Sequence, residues 1–133
     1  MLSKLLFVGL GGFVGAMMRY ATGLFIRQFA DTTQFPYGTL AVNFLGSLMI
    51  GFLIGLAGVE GLLTSSAQAF LITGMLGAFT TFSTFSYETL HLFQSGKVSP
   101  AIMNLSIQIV LGIAAVWAGS KLAHVVSMSG TKL

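Results

Sequence analysis

The chain has 133 residues, of which 55% are hydrophobic and only 7% charged. A soluble domain carries roughly 25% charged residues, so this chain could not cover a water-facing surface and is predicted to lie in a lipid bilayer. The net charge of +3 is spread along the chain, which excludes a basic patch for nucleic acid, and the absence of cysteine excludes disulfide or thiol chemistry.

Four apolar runs are long enough to cross a bilayer, which takes roughly 20 residues each. They are predicted at residues 5–26, 39–58, 67–93 and 101–126. The connections are predicted at residues 27–37, 60–66 and 94–100, and a polar tail at 127–133. Lys4 before the first run is also typical of a signal peptide, but no cleavage site and soluble domain follow, so a retained helix is predicted. The expectation is one four-helix transmembrane domain over residues 1–133.

The positive charges show almost no bias between the two sides of the membrane. Lys4, Lys121 and Lys132 lie with the termini, whereas Arg27 and Lys97 lie with the loops of the opposite side. Because the distribution of Lys and Arg normally sets orientation, two alternatives stay open. Either a weak bias gives one orientation, or copies insert both ways up. An antiparallel pair of copies would supply the inverted repeat that the single chain lacks.

Small residues at four-residue spacing mark the predicted helix contacts. Gly11 and Gly15 form one such pair, and Ser47, Gly51 and Gly55 form a second ridge. Ridges of small residues let two helix backbones approach closely in a membrane. The pattern predicts tight helix packing or dimerisation and carries no information about a substrate.

Two polar residues interrupt the first two runs. Arg19 lies late in the first run, where it either extends to the nearby interface or attracts an anion into a vestibule. Asn43 is a single amide in the second run. It either forms a hydrogen bond between helices or points its N–H donors at an anion.

The third run contains the segment GAFTTFSTFS at residues 77–86. Phe82 and Phe85 share a face if the segment is helical, and their ring edges carry partial positive charge that suits an anion. The surrounding hydroxyl groups can bind either an anion or a cation. Alternatively, they donate hydrogen bonds to carbonyls of the preceding helical turn. Gly74 and Gly77 favour a helix break near residues 77–81, which would free carbonyls for a small cation and N–H groups for an anion.

The remaining polar residues of the spans have weaker signals. Glu88 is a proton-linked carboxylate, a polar partner within the protein or an interfacial residue. Asn104 and Gln108 lie four residues apart on one face of the fourth run, where they either line a polar track or join helices. No phosphate-binding loop, metal-ligand cluster or activated nucleophile is present in the sequence, so no enzyme is predicted.

Residues 77–88, with the sequence GAFTTFSTFSYE, closely resemble the GGLTTFSTFSxE signature of the Fluc (CrcB) fluoride channels. Ala78 and Phe79 stand where the signature has a glycine and a leucine. Further matches follow the family order at GAMMRY (residues 15–20), GTLAVN (residues 38–43) and the pair at residues 73–74. The resemblance spans the first three helices, and the length and number of spans match over the whole chain.

The resemblance implies an all-α membrane protein with four transmembrane helices, the third broken near its middle. It implies an antiparallel, dual-topology homodimer in the bacterial inner membrane, with two pores through which fluoride leaves the cytoplasm passively, down its electrochemical gradient. Seven residues would then line the fluoride pathway: Asn43, Phe82, Phe85, Ser83, Thr84, Glu88 and Gln108. Arg19 matches the vestibule arginine. The backbone carbonyls of Gly77 and Thr80 from both subunits would hold one structural Na⁺.

Two other functions are consistent with four apolar helices. A small proton-coupled exporter of dual topology generally carries a carboxylate in its first helix, whereas the first run here has Arg19 and no Asp or Glu. A helical scaffold in a larger complex would have little use for the hydroxyl cluster. Growth of a fluoride-sensitive host with and without the gene separates the channel from both.

Overall fold

The computed structural model describes residues 2–59 and 62–130, and the side chains as far as residue 128. The elements are α1 (Leu2–Arg27), α2 (Tyr37–Ala57), α3 (Ser65–Gln68), a π-helical segment (Ala69–Leu76), α4 (Gly77–Phe79), α5 (Phe82–Gln94) and α6 (Val98–Gly130). These described ranges contain helices and no strand. Part of the predicted second turn, at residues 60 and 61, and the predicted tail residues 131–133 with Lys132 lie outside the described residues.

Four helical spans are long and apolar enough to cross a membrane, which confirms the predicted number. They cover Leu2–Arg27, Tyr37–Ala57, Ser65–Gln94 and Val98–Met128. The prediction was wrong at both ends of α6: Pro100 lies in its first turn and not in the preceding turn, and the helix continues through residues 127–130, which were predicted as tail. Proline is tolerated in the first turn because the first N–H groups of a helix have no partner within it.

The third span changes backbone geometry along its length. The π-helical segment leads into the single turn of α4, after which Thr80 (φ −75°, ψ 157°) and Thr81 (φ −150°, ψ 112°) have extended backbone. Helix resumes at Phe82, and the Thr81 hydroxyl accepts a hydrogen bond from the N–H of Thr84 at 3.2 Å as the N-cap of α5. Threonine is a favoured N-cap because its oxygen takes one N–H that the helix leaves unpaired.

Glycines let the spans pack backbone against backbone. Gly51 of α2 lies against the carbonyl of Val116, and Gly119 of α6 lies against the carbonyl of Leu48, so that a Cβ at either glycine would overlap that oxygen. The predicted pair Gly11 and Gly15 of α1 packs in the same way against the π-helical segment. These contacts confirm the predicted tight helix packing.

The buried apolar core is small and lies around the third span. Val42, Leu76 and Phe79 are almost completely buried in it, whereas only 33% of the most apolar stretch of the third span, and less of the others, is buried. Exposed side chains such as Phe13 and Ile113 therefore lie where lipid or a second protein surface would cover them.

The loop between α1 and α2 is joined to the turn before α6. The side chain and backbone N–H of Thr33 both donate to the Asp31 carboxylate, which lowers the pKa of Asp31 below its usual range. Lys97 donates to the Thr33 carbonyl at 3.0 Å. This loop therefore closes over one end of the helices.

Candidate functional site

Asn43 of α2 binds the extended backbone of the third span. Its Oδ1 accepts from the Thr81 N–H at 2.9 Å, and its Nδ2 donates to the Thr81 carbonyl at 3.1 Å. Extended backbone at membrane depth must find partners for its polar groups within the protein. The carboxamide of Asn43 supplies both, because it carries a donor and an acceptor side by side.

Hydroxyl groups surround this contact. Thr81 Oγ1 donates to Thr84 Oγ1 at 2.9 Å and lies 3.4 Å from Ser83 Oγ. These three hydroxyl groups lie at the N-terminus of α5, where the aligned peptide dipoles give a partial positive charge. The arrangement places hydroxyl groups at the N-terminus of a helix, and both features can bind an anion.

A continuous ladder of polar side chains runs from Asn43 through α6 and back to α5. Asn43 Nδ2 donates to Gln108 Oε1 at 2.9 Å, and Gln108 Nε2 donates to Asn104 Oδ1 at 3.4 Å. Asn104, which is fully buried, donates to Thr89 Oγ1 at 2.8 Å, and Thr89 Oγ1 donates to the Phe85 carbonyl at 2.8 Å. All four bonds point in the same direction along this amide ladder.

A cavity of about 320 Å³ brings four predicted pathway residues together. This Phe cavity is lined by Asn43, Phe82, Phe85 and Gln108, with Thr80 and Thr81. The two rings lie 5.6 Å apart between centroids and are tilted by 58°. Phe85 is buried, whereas Phe82 is 78% exposed. The edges of such rings offer partial positive charge without a full cation.

A second cavity, of about 310 Å³, lies on the other side of Thr81, which lines both. This Arg cavity is lined by Arg19, Arg27, Thr39, Thr84 and Glu88, among others. Two guanidinium groups against one carboxylate leave the cavity with an excess of positive charge. An excess of one sign of charge concentrates ions of the opposite sign, so this cavity favours anions.

Glu88 is held in the Arg cavity by one of its two oxygens. Its Oε1 accepts from Thr39 Oγ1 at 2.9 Å, while its Oε2 is buried with no hydrogen-bond partner among the described residues. A buried acceptor without a partner costs free energy, so this oxygen is a site where a hydrogen-bond donor would be stabilised.

The carbonyls predicted to hold Na⁺ lie at the helix end. The N–H of Thr81, which would be the α-helical partner of the Gly77 carbonyl, donates to Asn43 instead. The Gly77 carbonyl is thereby freed from that bond. Thr80, whose backbone is extended, is the residue that directly follows α4. Carbonyl oxygens suit a hard cation, so these residues fit such an ion. The described residues hold no cluster of three His, Asp or Glu side chains that could bind a metal.

The structure divides the predicted site residues between the two cavities. Asn43, Phe82, Phe85 and Gln108 line the Phe cavity, and Arg19, Thr84 and Glu88 line the Arg cavity. Ser83 lines neither and is exposed beside Thr81.

Three residues of the site were missed from the sequence, of which Arg27 was considered only as a loop charge. Thr39, which binds Glu88, lies one helical turn before Asn43 on the same face of α2, and this spacing was a usable signal. Thr89, which ends the amide ladder, lies four residues after Phe85 and so shares its face of α5.

The family described as "CrcB-like protein, Camphor Resistance (CrcB)" matches residues 6–120. The chain belongs to the CrcB family. This confirms the resemblance that the sequence motifs indicated. The family places it among multi-pass membrane proteins, in agreement with the four spans of the structure.

Similar proteins of three organisms carry related names. "Fluoride-specific ion channel FluC" of Clostridium perfringens is 42% identical over 121 residues, which are 90% of this chain and 93% of that protein. The protein of the same name from Campylobacter jejuni is 45% identical over 123 residues, covering 90% and 96%. "Fluoride-specific ion channel FluC 1" of Methanosarcina acetivorans is 39% identical over 115 residues, covering 86% of each. These relatives are named as channels, which agrees with the prediction that the chain is not an enzyme.

Proposed function

We propose that the chain forms a passive channel that lets fluoride leave the cytoplasm down its electrochemical gradient. The observation that carries the proposal is the Phe cavity, which brings side-chain amides, two aromatic rings and hydroxyls together beside an extended backbone segment. Relatives that match about nine-tenths of the chain are named as fluoride-specific channels.

The chemistry of the cavity suits a small, strongly hydrated anion. A selective pore must replace the hydration of the ion and still release it. Amide and hydroxyl donors with aromatic edges offer many weak attractions, whereas the full positive charge of a lysine in the same place would bind the anion too tightly for release. The Arg cavity on the other side of Thr81 supplies long-range attraction and gathers anions before they reach the Phe cavity.

The proposed assembly is an antiparallel homodimer of dual topology with two pores, in the inner membrane of a bacterium. Two observations support it. The Phe cavity of one chain is open beside Phe82, which is 78% exposed, so that a second copy could complete its wall. The distribution of Lys and Arg favours neither orientation, so that one sequence can insert both ways.

A structural Na⁺ at the dimer centre is part of this proposal. The carbonyls of Gly77 and Thr80 would hold it, with the same pair from the second copy. One chain alone offers too few oxygens for such an ion, so the ion would also join the two copies. Removal of Na⁺ is expected to weaken the dimer, which size-exclusion chromatography in Na⁺-free detergent solution measures.

Ion efflux from liposomes that contain the purified protein tests the function. With a K⁺ ionophore to relieve the build-up of charge, a fluoride electrode should record rapid loss and a chloride electrode little loss. Fluoride loss that requires an imposed pH gradient would indicate the proton-coupled exporter instead. No fluoride loss from well-folded protein would overturn the proposal.

A further inference from the structure

The donors of Asn43 are already in use. Its side chain has two N–H donors, and the structure gives them two acceptors, the Thr81 carbonyl and Gln108 Oε1. An anion that reaches Asn43 therefore has to displace one acceptor. The Thr81 carbonyl is the harder to displace, because Asn43 and Thr81 share a second hydrogen bond. The partner that gives way is Gln108.

Gln108 can give way and still serve the anion. A carboxamide has a donor at one end and an acceptor at the other, so a half-turn exchanges them. Such a turn would move the Gln108 Oε1 away from Asn43 and bring its Nε2 to the same place. Two N–H donors, from Asn43 and Gln108, would then converge on one point in the wall of the Phe cavity.

The turn of Gln108 requires its neighbours to turn with it. A rotated Gln108 would set its Oε1 against Asn104 Oδ1, and two acceptors cannot bond. Asn104 is fully buried and has no solvent to compensate, so its carboxamide must reverse too and donate to Gln108. Its Oδ1 then faces Thr89, whose hydroxyl can rotate from the Phe85 carbonyl to donate to Asn104.

We propose that the hydrogen bonds of the amide ladder at Gln108, Asn104 and Thr89 exchange donor and acceptor when an anion binds at Asn43. Gln108 then becomes the second donor to the anion. The inference rests on the proposed function, with fluoride as the anion. Without an anion the ladder runs from Asn43 to the Phe85 carbonyl. With an anion it runs from Thr89 through Asn104 to Gln108 and ends on the ion.

The number of hydrogen bonds is the same in both directions. The resting ladder has four: Asn43 to Gln108, Gln108 to Asn104, Asn104 to Thr89, and Thr89 to the Phe85 carbonyl. The reversed ladder also has four, of which two end on the anion. The Phe85 carbonyl keeps the main-chain bond of its helix.

Two features make the reversal accessible. The bond from Gln108 to Asn104, at 3.4 Å, is the longest of the four and lies beyond the usual range for an N–H donor, so little is lost when it breaks. Every buried polar atom of the ladder also has a partner in both states, so neither state pays for an unpaired group. The anion gains a donor from Gln108 and loses it again on leaving.

Nuclear magnetic resonance of the protein in bilayers tests the reversal directly. The chain contains two asparagines, Asn43 and Asn104, so protein labelled with ¹⁵N-asparagine gives two side-chain amide signals. Fluoride is expected to shift both signals with one midpoint, while chloride at the same concentration shifts neither. Asn104 lies on the ladder beyond Gln108, so its signal reports the reversal and not contact with the ion.

Gln108→Met supplies the control, because the side chain keeps its length and loses both amide functions. In this variant fluoride should shift the Asn43 signal and leave the Asn104 signal in place. Fluoride efflux should fall about tenfold, as expected for the loss of one hydrogen bond to a charged group. A wild-type Asn104 signal that does not move at saturating fluoride would overturn the reversal.

The two proposals fail in different ways. If wild-type protein conducts fluoride and its Asn104 signal does not move, the channel stands and the ladder reversal is wrong. If wild-type protein conducts no fluoride in liposomes, the proposed function is wrong whatever the spectra show.

Discussion

Asn43 and Thr81 form two hydrogen bonds with each other, one in each direction, at 2.9 and 3.1 Å. One side chain of the second span thereby occupies both polar backbone groups of the residue at which the third span is extended. This contact places the N-terminus of α5, the two phenylalanines and Gln108 around a single cavity. The geometry of the candidate pathway depends on it.

Replacement of Asn43 by aspartate keeps the shape of the side chain and removes its donors. Asn43→Asp leaves the Thr81 carbonyl without its donor and adds a negative charge to the wall of the Phe cavity. Fluoride efflux from liposomes should fall by at least about a hundredfold, because both effects oppose an anion. The amide-to-carboxylate change Gln94→Glu, at an exposed position that lines neither cavity, should leave efflux near the wild-type rate. Equal rates for Asn43→Asp and wild type would place the pathway elsewhere.

Substitution of either phenylalanine is expected to lower the fluoride flux, whereas only one of the two substitutions is expected to lower stability. Phe82→Ile and Phe85→Ile each remove a ring edge worth about 1 kcal/mol, so fluoride efflux should fall roughly fivefold or more in both. Phe85 is buried and Phe82 is 78% exposed, so only Phe85→Ile should lower the thermal unfolding temperature of the protein in detergent. Phe13→Ile, on the exposed face of α1, is the matched control. An unchanged efflux rate in both cavity variants would refute the role of the rings.

Helix packing depends on glycine where α2 and α6 touch. Gly51→Ala and Gly119→Ala would each place a Cβ against a backbone carbonyl and should lower the free energy of unfolding by about 1–3 kcal/mol. Gly9→Ala, where no other atom lies within 4 Å, should not destabilise the protein. Thermal unfolding in detergent measures the three variants together. Equal melting temperatures for all three would contradict the close approach of these helices.

The Arg cavity should act through long-range attraction. Arg19→Gln removes one of its two guanidinium groups and should lower fluoride efflux about two- to fivefold at low ionic strength. The difference should disappear near 1 M of an impermeant salt, where the screening length falls to about 3 Å. Lys121→Gln removes the same amount of charge from a residue outside this cavity and should leave fluoride efflux unchanged at low ionic strength. A deficit that persists at high salt would instead indicate direct contact between Arg19 and the ion.

Much of the architecture followed from the sequence. The number of the spans, and their limits to within a few residues, were predictable because a bilayer of fixed thickness requires a fixed length of apolar chain. The close approach of helices followed from the spacing of Gly11 and Gly15, and of Gly51 and Gly55. The family followed from residues 77–88, whose pattern of aromatic and hydroxyl residues is long and specific. The single domain over residues 1–133 stays a prediction.

The partners of the polar side chains were decided by the tertiary structure. From the sequence, Asn43 was a candidate donor to an anion, and only the packing of α2 against α5 and α6 shows that its donors are already occupied. The bond between Thr39 and Glu88 joins residues 49 positions apart. Span length is a property of each segment alone, whereas a hydrogen-bond partner depends on how two helices rotate and cross, which no single segment specifies.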